Sequence, residues 1–166
     1  MYSCPSHIKV KCFNTLVRPV LEYGCCVWDP HHQTDIDSLE KVQKSGARLI
    51  TNNYQMETGN IKVNMIHLGW QPLEERRAKI KVTNSYKARN NMIEIPIDHL
   101  IVNNSKTRRG GGQTYALPSS SVDSHLHSFY PSAVRLWNAL PAEAKDCENL
   151  ASFKNTLEKV TIRSSY

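Results

Sequence analysis

The chain has 166 residues, 40% of them apolar, with three Trp, seven Tyr and three Phe. That is enough to bury one core or two small ones, and it argues against wholesale disorder. A net charge of +6 permits contact with a polyanion and dictates no fold. No apolar run approaches the roughly 20 residues of a membrane span, and no basic-plus-apolar leader opens the chain. An intracellular setting is therefore expected, with cytoplasm and nucleus both open.

Residues 6–28 read as helical, because Ile8, Cys12, Leu16, Val17, Val20, Leu21 and Val27 recur near a 3.6 period. Pro5 and Ser6 suit a helix start. Pro19 predicts a kink or break at 15–18, and Trp28-Asp-Pro30 ends the segment. Residues 35–52 make the clearest helix, opened by Thr34 and Asp37 as a capping-box variant. Its inward face is Ile36, Leu39, Val42, Gly46, Leu49 and Ile50. Gly46 inside it costs about 1 kcal/mol relative to Ala. Residues 60–69 form a shorter helix with Ile61, Met65, Ile66 and Leu68 inward and Gly69 as its stop. Pro72 then starts a helix over 72–90, with Leu73, Ile80, Val82 and Tyr86 inward.

Residues 91–123 read as a connector. Pro96 bars a central strand in 92–97, and Lys106, Arg108 and Arg109 run into three flexible glycines. A short strand is expected at 114–117. The C-terminal lobe holds two helices. One spans 131–140 with Val134, Trp137 and Leu140 inward. The other runs to 161 from Asn149 as cap, with Leu150, Phe153, Leu157 and Val160 on one face. The organisation is a helical module over 1–90, a flexible connector over 91–123 and a short helical lobe over 124–166. The fold class is mainly α, a small helical bundle with little or no sheet.

The five cysteines, Cys4, Cys12, Cys25, Cys26 and Cys147, are odd in number and irregularly spaced, so they make no disulfide framework. Cys4 with His7, and Cys25 and Cys26 with His31 and His32, have the look of zinc ligands. A helix over 6–28 would hold the two clusters about 30 Å apart. The thiols are better read as small hydrophobes, and no metal or other cofactor is expected. Arg18 and Glu22, four apart, suit an ion pair along the helix. Trp28, Trp70 and Trp137 sit among apolar neighbours and read as core anchors. Arg76, Arg77, Lys79, Lys81, Lys87 and Arg89 form a run without an acidic residue. Arg76, Lys79 and Lys87 share one side of a helix. They could track a phosphate backbone without reading sequence, or form a solvated outer face. Lys106, Arg108 and Arg109 are weaker candidates of the same kind.

Five motifs follow one another along the chain. They are Leu16-Val-Arg-Pro-Val-Leu-Glu-Tyr23 closed by Val27-Trp28-Asp-Pro30, Leu39-Glu-Lys-Val-Gln43, Leu73-Glu-Glu-Arg-Arg77, Phe129-Tyr-Pro-Ser-Ala-Val-Arg-Leu-Trp-Asn-Ala-Leu-Pro141, and Phe153-Lys. In this order they resemble the segment after the polymerase core in non-LTR retrotransposon reverse transcriptases of the jockey/CR1-like lineage, covering residues 4 to about 160. The resemblance implies an RNA-directed DNA polymerase as parent, with the thumb-like region helping to hold template and nascent DNA. The implied partner is an RNA template or RNA–DNA hybrid, bound weakly and without sequence preference by Arg76, Arg77, Lys79, Lys87, Arg89, Lys106, Arg108 and Arg109. Such polymerases clamp two divalent metals with carboxylates, among them two adjacent aspartates. Here Asp29, Asp35, Asp37, Asp98, Asp123 and Asp146 include no adjacent pair. The expectation is a non-catalytic fragment and no enzyme. Family members also tend to have apolar residues where this chain has Asn84, Ser85 and Arg89, so the helix over 72–90 should have a thinned apolar face. The alternative is an inert transposon remnant or a protein-interaction helical domain.

Overall fold

Pro19 has no N–H to donate and its ring crowds the preceding turn. The chain accommodates it with a π-helical turn, Phe13–Val17, between α1 (Ser6–Cys12) and α2 (Arg18–Glu22). This is the break expected at 15–18. The wider turn shifts the inward line of side chains. Phe13 is buried with Val10 and Val17 packed beside it, whereas Leu16, Val20 and Val27, all expected inward, are exposed. A turn through Gly24, at φ 63°, leads into α3 (Cys25–Trp28). Trp28 is not a core anchor: it is 40% exposed, and its Nε1 donates to the Tyr23 carbonyl at 2.6 Å.

The computed structural model describes residues 4–54, 58–94, 114–119 and 121–162. The chain is mainly α, and among the described residues its helices build no sheet. It divides into two compact units, Met1–Arg76 and Arg77–Tyr166. The sequence alone suggests boundaries at 90/91 and 123/124. The reason for the difference lies in the helix Leu73–Arg89, whose later residues are core to the second unit.

In the first unit α4 (Gln33–Thr51) packs on α1 and on α5 (Thr58–His67). Its buried residues are Ile36, Glu40, Gln43, Gly46, Ala47 and Ile50. This face is rotated from the expected one: Val42 and Leu49 are exposed and Leu39 half-buried. Two contacts set the rotation. A methyl at Gly46 would stand 2.7 Å from Phe13 Cδ2, so only glycine lets the ring of Phe13 lie on the helix. Phe13 in turn stacks on Trp70, with centroids 4.6 Å apart. The second contact is polar: Glu40 and Gln43 turn inward to bond the backbone of Glu74 and Gln71. The expected Thr34–Asp37 cap does not form. His32 is the N-cap, without a side-chain bond, and Asp37 accepts from Gln33 Nε2 at 3.0 Å. Gly69 ends α5 at φ 63° as expected. Ile66, expected inward, is 78% exposed.

In the second unit α6 (Leu73–Arg89) buries Ala78, Val82 and Tyr86 against α8 (Phe129–Ala139) and α10 (Leu150–Lys159). Two single turns, α7 (Asp123–Leu126) and α9 (Ala142–Lys145), were not anticipated. Tyr86 and Trp137 both stack on Phe153, at 4.3 and 6.0 Å between centroids. Asn149 caps α10 by accepting from the Ser152 N–H at 2.8 Å. Of the expected connector, 95–113 lies outside the described residues, and with it Lys106, Arg108 and Arg109. Residues 114–119 are described, and Tyr115 is core rather than connector, 5% exposed.

Candidate functional site

The basic run falls on α6, as expected, but most of its cations face protein. Arg76 donates through Nε and Nη2 to the two carboxylate oxygens of Glu22, the Nη2 bond at 3.1 Å. Glu22 thus pairs with Arg76 across 54 positions rather than with Arg18 one turn away. The Arg18 guanidinium lies over the Trp70 ring, 4.7 Å from its centroid. Burial holds its pKa below the usual arginine value, Arg76 adds to that, and Glu22 opposes it. Arg77 is fully buried. Lys79, 8% exposed, has its ammonium 3.6 Å from Glu158. Lys81, 1% exposed, donates to Ser132 Oγ at 2.9 Å. Arg89 donates to the Lys145 carbonyl at 3.3 Å and lies over Trp137. Lys87 is half-buried. The row that was to follow a phosphate backbone therefore breaks up: Arg76 and Lys79 are ion-paired, and Thr83 between them and Lys87 bonds its own turn at the Lys79 carbonyl.

Polar side chains from the first four motifs bond one another or a distant stretch of backbone. Glu22, in the first motif, holds Arg76 in the third. Glu40, in the second, accepts from the Glu74 N–H at 3.1 Å. It thereby satisfies one of the orphan donors at the start of α6 and places a negative charge there. Gln43 Nε2 donates to the Gln71 carbonyl at 2.8 Å. In the fourth motif, Asn138 meets the backbone of Tyr115 on both sides. Its Oδ1 accepts from the Tyr115 N–H at 2.9 Å and its Nδ2 donates to the Tyr115 carbonyl at 2.8 Å. The side-chain amide stands where a neighbouring strand would, so an extended segment is held without a sheet. Beside it the buried Lys145 ammonium donates to the Asn138 carbonyl at 3.0 Å. Burial lowers the Lys145 pKa, with Asp146 opposing, and burial raises that of the Tyr115 hydroxyl against the pull of Arg89.

Sequence reasoning did not single out Glu40, Gln43, Asn138 or Lys145. Polar residues on a helix read as a solvent face, and their partners are backbone groups that no periodicity reveals. The one available signal is the spacing of Glu40 and Gln43, three apart and on one side of α4. Of the cysteine clusters, Cys25 is buried, and Cys4 lies with Cys12 on an apolar cavity lined also by Phe13 and Leu49. No family model matches this chain, and no curated protein or solved structure proves similar to it.

Proposed function

We propose that this chain is a non-catalytic helical module derived from the region after the polymerase core of a non-LTR retrotransposon reverse transcriptase, and that it holds polypeptide rather than phosphate. The family reading is supported by the five motifs in order. The scaffold reading rests on one observation: Arg76, Lys79, Lys81 and Arg89 of α6 are engaged with protein groups, and Arg77 and Lys81 stand at 0% and 1% exposure. A buried cation needs its protein partner and cannot release it for a phosphate without leaving a charge uncompensated. Contact with an RNA template or RNA–DNA hybrid is then left to the half-buried Lys87 and to exposed lysines such as Lys41, Lys154 and Lys159. Fluorescence anisotropy of a labelled RNA–DNA hybrid across a salt series tests this. Each phosphate contact adds a slope of about −0.7 to −0.9 in log affinity against log salt. The expected result is weak binding with a slope of about −1 to −2, flattened by roughly one contact in Lys87→Gln. Tight binding with a slope beyond about −4 would overturn the scaffold reading.

A further inference from the structure

A cavity of about 430 Å³ opens between α4 and the chain that runs from α5 into α6. Its volume lies in the range, about 300–1,000 Å³, of sites that take several apolar groups. Its floor is apolar, with Ile36, Met65, Ile66 and Trp70. Ile66 stands 78% exposed, and Val63, three residues before it on α5, is 62% exposed. The polar lining carries the opposite sign to the chain as a whole. Among the described lining residues, Asp37 and Glu74 stand with Glu40, whose carboxylate accepts from the Glu74 N–H, and with Lys44, on a protein of net charge +6. Trp70 is 8% exposed, with Phe13 stacked on its ring and the Arg18 guanidinium 4.7 Å from its centroid. An apolar trough with an acidic border suits an amphipathic helix that is apolar on one side and basic at its flanks.

We propose that this groove docks a basic amphipathic helix of a partner protein, its apolar anchors on Ile36, Met65 and Ile66 and its lysines or arginines against Asp37 and Glu74. The proposal rests on the scaffold reading above and names the chemistry of what is held. Leucine anchors one helical turn apart would reach the floor while basic residues beside them meet the border. Opposite charges at such a border set specificity and on-rate, and like charges reject wrong partners.

The test uses the whole chain and a labelled peptide of about 15 residues, with leucines at helical spacing and lysines elsewhere. A second peptide carries glutamate at every lysine. The expected result is saturable binding of the leucine–lysine peptide at physiological salt and at least about ten-fold weaker binding of its glutamate twin. Asp37→Lys and Ile66→Glu, both at exposed positions, should each weaken the lysine peptide by about five- to ten-fold while leaving the thermal melt unchanged. Equal affinity for the two peptides, no binding of either, or indifference to both substitutions would overturn the groove. Each of those results alongside weak hybrid binding would leave the scaffold reading standing. A steep salt slope on the hybrid would instead remove that reading.

Discussion

Two residues carry more of this fold than their chemistry suggests. Gly46 sits in the middle of α4, where alanine would ordinarily stabilise a helix by about 1 kcal/mol. Here the added methyl meets the ring of Phe13, and overpacking of that kind costs about 1–3 kcal/mol. Gly46→Ala should therefore lower stability in urea titration. The double variant with Phe13→Leu should recover part of the loss. A higher midpoint for Gly46→Ala alone would show that the ring is free to leave. Asn138 is the second case. Asn138→Leu removes both bonds to the Tyr115 backbone and leaves a buried N–H and carbonyl unmatched, a loss of about 2–3 kcal/mol. Amide exchange at Tyr115 should accelerate in the same variant, and unchanged protection there would contradict the pairing.

At the scale of elements, the helices were legible and their faces were less so. Pro19, Gly69, Pro72 and Asn149 mark breaks, stops and starts through backbone chemistry that acts locally, so the sequence carries them plainly. The face of α4 is decided by contacts far along the chain. Phe13 against Gly46, and Glu40 and Gln43 against the start of α6, outweigh the apolar pattern that favoured Leu39, Val42 and Leu49. The same holds for the first helical segment, where the π-helical turn displaces Leu16 and Val20 outward. The rotated face has a measurable consequence. Ile50→Ala, at a 4% exposed position, should cost about 2–4 kcal/mol. Leu49→Ala, at 55% exposure, should stay within about 0.5 kcal/mol. Paired chemical denaturation of the two variants reads this directly, and the reverse order would restore the face expected from periodicity.

At the scale of the molecule, the basic run was visible as composition but its placement was not. A basic run without acidic residues, such as 76–89, looks like a surface, and only the partners of its cations reveal otherwise. Glu22, Glu158 and Ser132 come from distant parts of the chain. The resulting module keeps Lys79 and Lys81 of α6 inside, while Lys41, Lys154 and Lys159 are exposed. Lysine acylation followed by mass spectrometry, with and without an RNA–DNA hybrid, separates the two accounts in one measurement. Lys79 and Lys81 should react slowly in both conditions and Lys41, Lys154 and Lys159 rapidly. Fast modification of Lys79 and Lys81 in the free protein, suppressed by the hybrid, would contradict the claim that α6 is an internal strut.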